Sequence, residues 1–468
     1  MAYSASGFVA KSLNKYNDGT PFLVDAAGQK ILILMDPKHV KKALVSSELD
    51  AAIFVYKNIM PQLFGSPQAA VDFYLTPGHD MDEKAMLQIR THTSGKELIS
   101  LDQKFLEVID RNMTRTFSSV QIKEWTDITD LYTLFKQQST LAVGEAILGT
   151  AMVETYPQLA DDLWTLIERT DVLLLGLPRV LAPTAHNARD RLLKQLKISQ
   201  RKSDAQRSTN AVRKGWDPVA GSGLVQEREQ MFSALPGHDE DARAAQTLGM
   251  LYGGTSLSIP VAFWLLYEVL RDAALHKRVL DELRHYAATD PEKADFGHLA
   301  TSPFLQSLHS EATRFYARNG VTREVVAPVF QLDDRYAVEK GTTVLILTGH
   351  TARFTQEWAR SRPHATARPL TEFWPERFLV PDGKSERYNE SGLSGNWTSF
   401  GGGEHRCPGR FFARDIALVT LTVFLGKYEV EILDPEGARK FDPVWNEIAF
   451  GTMVPKGKIT ARIRLRKA

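Results

Sequence analysis

Apolar positions recur at helical spacing over most of the chain. Between Ala51 and Glu240, segments such as "SLDQKFLEVIDRNMTRTF" and "YTLFKQQSTLAVGEAILG" place apolar residues three or four positions apart, which is typical of amphipathic helices. The later segments "YEVLRDAALHKRVLDELRHYA" and "FLQSLHSEATRFYARNG" keep this period. The pattern predicts a chain that is mainly α-helical.

Short β-type runs stand near both ends and in the last third of the chain. "TPFLVDAAGQKILILMDPKHVKKAL" alternates two such runs around a turn and then predicts a helix from Pro37. "VVAPVFQLD", "TTVLILTG" and the tail "ITARIRLRKA" predict further strands. The stretch 357–397 is rich in proline, glycine and polar residues and predicts an irregular surface loop. We therefore predict one domain over residues 1–468, mainly α with a minor β portion.

One apolar stretch is long enough to span a membrane. "TLGMLYGGTSLSIPVAFWLLY", from Thr247 to Tyr267, carries no charge. It also contains adjacent glycines, several hydroxyls and Pro260, and it lies mid-chain between charged helices. We interpret it as the buried central helix of a large soluble fold.

Composition narrows the function classes. Of 468 residues, 43% are hydrophobic and 24% charged, which is ordinary for a globular protein, and the formal net charge of +1 argues against nucleic-acid binding. Cys407 is the only cysteine. Intramolecular disulfides and multi-cysteine metal sites are therefore excluded.

The residues around Cys407 form an unusual pattern, "SFGGGEHRCPGRFFA". Glycines let the backbone bend tightly and approach a flat molecule, and a helix that starts near Gly409 adds positive potential at a thiolate. His405 and Arg406 supply cations that suit carboxylate groups on a ligand. A lone buried cysteine is ordinarily only a small hydrophobic residue, but the combined spacing F-x-x-G-x-H-x-C-x-G argues for a binding role.

"FGGGEHRCPG" resembles the haem-binding loop of the cytochrome P450 family. The resemblance implies that Cys407 is the thiolate ligand of a haem b iron, and that the haem lies between a long distal helix and the helix after the cysteine loop. "EATR", with Glu311 and Arg314, resembles the E-x-x-R motif of the family, and "FWPERF", with Arg377, resembles the segment that completes its structural ion-pair network.

The same resemblance implies further haem contacts. His405 takes the position that binds a haem propionate, and Arg323, twelve residues after Glu311, is a second candidate. In the N-terminal half the tryptophan of the family is absent, so Arg90, His92 and Lys96 stay open as alternatives. The predicted cofactor-binding residues are Cys407, Phe400, Gly403, His405, Gly409, Arg323, Arg90, Gly253 and Gly254.

The apolar helix departs from the family pattern of an acid followed by threonine, which relays protons to dioxygen. In the register set by "FWLLYEVLRD", Ser256 stands at the acid and Leu257 at the threonine, followed by Ser258. Shifting by one residue places Thr255 and Ser256 at the pair but breaks the downstream match. Thr255, Ser256 and Ser258 are the catalytic candidates, and Pro260 is expected to kink the helix and free a carbonyl near Ser256.

"SIPVAFW" and the terminal "AFGTMVPKGKITARIRL" resemble the P450 branch that contains prostacyclin synthase and the sterol hydroxylases of bile-acid synthesis. This branch includes both oxygen-inserting enzymes and an isomerase. By analogy, the predicted substrate contacts are Leu257, Phe450, Gly451, Thr452 and Met453.

Three functions follow from these resemblances. The first is a monooxygenase that oxidises a lipophilic sterol or terpenoid with dioxygen and electrons from NADPH–cytochrome P450 reductase. The second is a haem-thiolate enzyme that rearranges its substrate without a reductase, motivated by Leu257, and the third is a haem sensor or carrier. The first twenty residues lack a continuous apolar core and do not predict a signal peptide. Its resemblance to microsomal members predicts a native protein at the endoplasmic reticulum membrane, with an anchor absent or removed and the given chain soluble.

Overall fold

The computed structural model describes residues 11–12, 15–16, 18–26, 28–209, 215–286, 296–352, 355–442 and 451–467. Its α-helices are α1 (Pro37–Val45), α2 (Ala52–Phe54), α3 (Gln68–Leu75), α4 (Met81–His92), α5 (Gly95–Thr116), α6 (Leu131–Leu148), α7 (Thr150–Thr155), α8 (Leu159–Glu168), α9 (Thr170–Leu174), α10 (Pro183–Thr209), α11 (Gly223–Ser233), α12 (Glu240–Thr255), α13 (Ser258–Arg271), α14 (Ala273–Tyr286), α15 (Phe296–Leu299), α16 (Pro303–Tyr316), α17 (Thr348–Thr351), α18 (Thr355–Ser361), α19 (Arg410–Leu421) and α20 (Pro435–Ala438).

The strands are short, and they contain fewer residues than the helices do. They are β1 (Phe22–Ala26), β2 (Gln29–Leu34), β3 (Leu49–Asp50), β4 (Thr126–Ile128), β5 (Ala317–Arg318), β6 (Gly320–Val325), β7 (Val329–Gln331), β8 (Ala337–Glu339), β9 (Thr343–Leu347), β10 (Leu379–Asp382), β11 (Ser385–Tyr388), β12 (Tyr428–Ile432), β13 (Gly451–Thr452) and β14 (Ala461–Leu465). Single turns of 3₁₀-helix cover Pro363–Thr366, Pro375–Phe378, Gly403–His405 and Arg439–Phe441, and π-helical turns cover Val55–Leu63 and Thr422–Lys427. The predicted fold class, mainly α with a minor β portion, is confirmed.

The chain divides into two compact units. The mixed unit comprises the described residues within 1–54, 301–407 and 436–457, and the helical unit comprises those within 55–300, 408–435 and 458–468. Each unit is built from three separate segments of the chain. The prediction of one domain over residues 1–468 stays a prediction.

The mixed unit is organised around a five-stranded sheet of order β1-β2-β9-β6-β3. β2 runs parallel to β9, with Ile31 opposite Thr343, and β6 runs antiparallel to β9, with Thr322 opposite Leu345. Alternate residues of β9 are fully buried with Val40 of α1, because side chains alternate between the two faces of a strand.

Helix α1 begins where the sequence predicts it. The Asp36 side chain accepts a hydrogen bond from the Lys38 amide at 2.7 Å, and Pro37 occupies the first turn, where a missing N–H costs nothing. The helix prediction from Pro37 is therefore confirmed.

The predicted irregular loop over 357–397 is wrong in part. This stretch includes most of α18, two 3₁₀ turns and the antiparallel hairpin β10-β11. Trp358 and Phe378 are fully buried and contact each other edge to face, with Trp397 close by. Buried aromatic side chains thus organise this segment, although its prolines and glycines predicted no regular structure.

The helical unit is centred on α13, which is apolar on all sides and buried along most of its length. It packs against α6 and α19. Phe263 of α13 contacts Phe135 of α6 at a ring-centroid distance of 5.6 Å, and Phe135 contacts Phe424, just beyond α19, at 5.4 Å.

Among the described residues, Glu240–Arg271 is the one stretch long and apolar enough to cross a membrane. Its most apolar window is 67% buried, which fits the predicted core helix. The helix is interrupted at Ser256 and Leu257, between α12 and α13, next to the position where the sequence predicts a kink. Pro260 explains the interruption because it has no N–H to donate to the Ser256 carbonyl.

Candidate functional site

A buried carboxylate in the mixed unit is held between two guanidinium groups. Glu311 of α16 accepts from Arg314 Nε at 2.7 Å and Nη2 at 2.8 Å, and from Arg377 Nε at 3.0 Å. The Trp374 amide donates to the same carboxylate at 2.9 Å. The side chains of the three charged residues have no exposed surface. The residues that the sequence predicts as a structural network therefore form direct ion pairs.

The outer edges of both guanidinium groups are satisfied by backbone carbonyls. Arg314 donates to the carbonyl of Leu370 at 2.9 Å. The Nη atoms of Arg377 donate to the carbonyls of Ala365, Arg368, Pro369 and Glu372. Together with Nε, these contacts use all five N–H groups of Arg377. The network therefore fixes the path of the chain between Ala365 and Arg377.

The cysteine loop is closed by its own backbone. The Cys407 amide donates to the Phe400 carbonyl at 2.8 Å, and Gly401 and Gly403 have φ of +70° and +64°. A Cβ on Gly403 would also collide with the Leu44 carbonyl. Two glycines are thus required by left-handed backbone, and one of them also by close approach.

The side chains of the loop differ in burial. Phe400 is partly buried and contacts Trp397 edge to face at 6.1 Å, which joins the loop to the aromatic cluster of this unit. His405 is exposed, and Arg406 donates to Glu390 at 2.7 Å. Cys407 itself is partly buried.

Arg323 is a buried cation with spare hydrogen-bonding capacity. It lies on β6 with 5% of its surface exposed, and its Nη1 donates to the Thr322 carbonyl at 2.8 Å. Its Nη2 is buried and has no partner among the described residues. Burial lowers the pKa of the Arg323 guanidinium, and the Asp50 carboxylate opposes this shift. An anionic group would satisfy Nη2 and offset the desolvation.

The first residues after the cysteine are fixed in the helical unit. Thr93 directly follows α4. Its hydroxyl oxygen lies 2.7 Å from the Ile89 carbonyl and 2.9 Å from the Pro408 carbonyl, and the two carbonyls share its single hydrogen. Gly409 is the N-cap of α19. This contact joins the end of α4 to the start of α19, and no sequence motif pointed to Thr93.

The other cationic candidates near α4 lie in different surroundings. Arg90 and Lys96 are exposed. His92 is buried, with Nε2 3.0 Å from a Glu227 carboxylate oxygen. Which of the three would contact a haem propionate stays open.

A buried carboxyl pair joins α5 to α19. Asp102 and Asp415 are each at most 3% exposed, and Arg414 donates to Asp415 at 2.7 Å. Burial, together with the neighbouring Asp415 carboxylate, raises the pKa of Asp102 well above its usual range. Burial also raises the pKa of Asp415, and Arg414 opposes that shift. A single proton, held mainly on Asp102, relieves the repulsion between the two groups.

The three hydroxyl candidates at the helix interruption are not equivalent. Thr255 donates to the Leu251 carbonyl at 2.8 Å, and Ser258 donates to the Gly254 carbonyl at 2.5 Å. Ser256 is buried, with 9% of its surface exposed, and its Oγ makes no hydrogen bond to any of the described residues. Ser256 is therefore the hydroxyl of the three whose hydrogen is not committed to the helix.

One face of α12 is lined by small residues. Gly253 is exposed, and a Cβ there would meet nothing within 4 Å, whereas a Cβ on Gly254 would lie 3.5 Å from Ile147. Leu257, one turn after Gly253, is partly exposed. A Cβ on Gly249, one turn earlier, would approach the Phe64 ring at 3.3 Å. The open part of the face thus runs from Gly253 to Leu257.

The predicted C-terminal substrate segment lies beside α16. In β13, Gly451 pairs with Arg318 and Thr452 with Ala317 of β5. The Met453 amide donates to the Tyr316 carbonyl at 3.2 Å, and Met453 is buried. Phe450 lies outside the described residues.

Comparison with known proteins identifies the family. The cytochrome P450 family model matches residues 8–461. The chain belongs to the cytochrome P450 family. This confirms the resemblance seen at the cysteine loop, and with it the prediction that the chain is a P450 enzyme, an oxidoreductase whose family implies a haem cofactor.

Relatives of this P450 chain include fungal and mammalian proteins. It is 27% identical to the cytochrome P450 monooxygenase efuG of Hormonema carpetanum, over 98% of this chain and 86% of that protein. It is 29% identical to the cytochrome P450 monooxygenase fsoE of Humicola fuscoatra, over 88% of this chain and 75% of that protein. It is also 22% identical to the 25-hydroxycholesterol 7-alpha-hydroxylase of Rattus norvegicus, over 86% of this chain and 91% of that protein.

Proposed function

We propose that this P450 is a haem-thiolate monooxygenase that hydroxylates a lipophilic sterol or terpenoid. The observation that carries the proposal is the loop from Phe400 to Cys407, whose left-handed glycines and internal hydrogen bond present the only cysteine of the chain in a fixed backbone. The substrate class is carried over from the rat relative, which is named for an oxysterol, and from the sequence resemblance of "SIPVAFW".

The residues present fit a haem. Cys407 would bind the iron, Gly403 and Gly409 would let the backbone approach the ring, and Phe400 would cover the thiolate. The spare Nη2 of Arg323 suits a propionate, with exposed His405 as the second propionate contact. When bound, such a haem supplies reductive activation of dioxygen, because thiolate ligation favours O–O cleavage.

The residues of the helix interruption would manage protons and substrate. Ser256 Oγ holds an ordered water and passes protons from it, since the hydroxyls of Thr255 and Ser258 are committed to helix carbonyls. The Ser256 carbonyl, which Pro260 leaves without its helical donor, is a second acceptor for that water. Gly253 and Gly254 leave room over the ring, and Leu257 contacts the apolar substrate.

Substrate would be enclosed by apolar residues of several elements. In the helical unit Leu257 would contact it, and the elements Val55–Leu63 and α9, which contact each other, would provide further apolar surface. Burying an apolar ligand excludes water from the reacting carbon.

The reaction needs a supply of electrons. One oxygen atom of dioxygen enters a C–H bond of the substrate and the other leaves as water, with two electrons from NADPH and two protons. We propose NADPH–cytochrome P450 reductase as the electron donor and the endoplasmic reticulum membrane as the native location, where the chain would contact the membrane surface.

The test is reconstitution with reductase and NADPH against sterols, diterpenes and fatty acids. Substrate-dependent NADPH oxidation with formation of a product one oxygen atom heavier is the expected result. A haem-loaded enzyme that binds a substrate but forms no such product would overturn the proposal.

A second function has one observation in its favour. In the register set by "FWLLYEVLRD", Leu257 stands at the position of the family threonine, and neither register places a carboxylate beside it. A haem-thiolate enzyme that rearranges or dehydrates its substrate needs no proton relay. Turnover of the same substrate without NADPH and reductase would establish this function and eliminate the monooxygenase.

A further inference from the structure

Two hydroxyl groups meet beside the open face of α12. The phenolic oxygen of Tyr252, on α12, lies 2.8 Å from Oγ1 of Thr170, the first residue of α9. The Tyr252 ring contacts Phe64 edge to face at 5.4 Å. The neighbouring residue in sequence, Gly253, is exposed. A polar pair therefore lies in surroundings that are otherwise apolar.

Hydrogen positions in this pair follow from the other contacts of Thr170. Oγ1 of Thr170 lies 2.9 Å from the Ile167 carbonyl, which can only accept. Because a threonine hydroxyl has one hydrogen, that hydrogen goes to Ile167. The contact with Tyr252 then requires the phenol to donate to Thr170. The phenolic oxygen keeps its acceptor capacity but has no hydrogen left to offer a ligand.

The phenol is also fixed in its neutral form. Burial raises the pKa of Tyr252 above its usual value. Tyr252 is nevertheless partly exposed and directly precedes the exposed Gly253. A ligand group that approaches it is therefore met by a neutral acceptor.

We propose that Tyr252, oriented by Thr170, accepts a hydrogen bond from a hydroxyl group of the substrate at a distance from the carbon that is oxidised. This inference rests on the proposed function and narrows its substrate class to lipophilic alcohols. Corresponding ketones, aldehydes and hydrocarbons bind less tightly, because a carbonyl oxygen meets an acceptor that cannot donate to it. Thr170 acts as a positioning residue through Tyr252.

The test uses binding to the haem-loaded enzyme, measured as the ligand-induced shift of the Soret band. The probes are alcohol and carbonyl pairs on three skeletons: cholesterol and cholestenone, geranylgeraniol and geranylgeranial, dodecanol and dodecanal. For at least one pair the alcohol is expected to bind more tightly. Tyr252→Phe should weaken binding of the alcohol about 3- to 10-fold, which is the effect of one hydrogen bond. Binding of the carbonyl compound should not change.

Thr170→Val provides the sharper comparison. It frees the phenolic hydrogen, so binding of the carbonyl partner should strengthen relative to the alcohol. A general packing role for Thr170 would not produce this reversal. Tyr336→Phe, which removes a phenol from the mixed unit, is the matched control and should change neither ligand.

Each contrary result has a distinct meaning. Equal weakening of alcohol and carbonyl by Tyr252→Phe, or no change in either, overturns the inference. So does an absence of any Soret shift with all six probes while the carbon monoxide complex retains its thiolate spectrum. Loss of the thiolate spectrum in the unmodified enzyme would instead overturn the proposed function.

Discussion

The network around Glu311 supports a quantitative prediction for Arg377→Lys. In the structure Arg377 uses five N–H groups on Glu311 and on the carbonyls of Ala365, Arg368, Pro369 and Glu372. Lysine offers three donors on one nitrogen and cannot span the two sides of this site. At least two buried acceptors lose their partners, and the ion pair is weakened.

The expected cost follows from these losses. Each unpaired buried acceptor costs about 1–3 kcal/mol, and disruption of a buried ion pair costs about 3–5 kcal/mol. Because these contributions overlap, we expect a loss of about 3–5 kcal/mol in the free energy of unfolding. Since the network fixes the chain that leads to the cysteine loop, haem retention should fall as well.

Urea unfolding of the haem-loaded protein, followed by circular dichroism, measures this loss. The matched control is Arg360→Lys, because Arg360 pairs with Glu357 at the surface and is 63% exposed. Such exposed pairs contribute at most about 1 kcal/mol. If Arg377→Lys unfolds within about 1 kcal/mol of both the wild type and this control, the reasoning about the network is refuted.

Two further predictions concern the cysteine loop and the carboxyl pair. Gly403→Ala should reduce the fraction of protein that gives a thiolate carbon monoxide spectrum, because its φ of +64° is strained for alanine and the new Cβ collides with Leu44. Gly426→Ala, which lies outside the cysteine loop, has no left-handed φ and meets nothing within 4 Å, is its control. For Asp102→Asn, the free energy of unfolding is compared with that of the wild type at pH 5 and at pH 8, by urea unfolding. The variant-minus-wild-type difference should be about 1–3 kcal/mol more favourable at pH 8.

The sign of the pH effect follows from the raised pKa of Asp102. Below the pKa of the unfolded chain, about 3.9, Asp102 is protonated in both states and its contribution is intact. As the pH rises toward the folded pKa, the unfolded state loses its proton first, so the folded state is progressively destabilised. Asparagine cannot titrate and escapes this loss. An equal effect at both pH values would contradict the shared proton, and equal spectra for both glycine variants would contradict the requirement at Gly403.

Local sequence signals predicted the elements that depend on neighbouring residues. Asp36 followed by Pro37 marks a helix start because both act within one turn, and the apolar period of α13 reports a helix buried on all sides. The stretch 357–397 misled because its fold depends on Trp358 and Phe378 meeting in a core, which composition does not reveal.

Contacts between distant segments could not be read from spacing. Glu311 and Arg377 are 66 residues apart, and only the family resemblance joined them. Thr93 with Pro408, and Thr170 with Tyr252, had no motif at all. Single hydroxyls are too common in sequences to indicate a partner, so only the folded chain brings these pairs together.

The central claim is that Cys407 binds the haem iron as a thiolate. The most direct measurement is the reduced carbon monoxide difference spectrum of the wild type and of Cys407→Ser, each at equal haem content. The account predicts the long-wavelength Soret band of a thiolate-ligated haem in the wild type and its complete loss in the variant. An unchanged spectrum in Cys407→Ser would contradict every haem-thiolate function proposed for this chain.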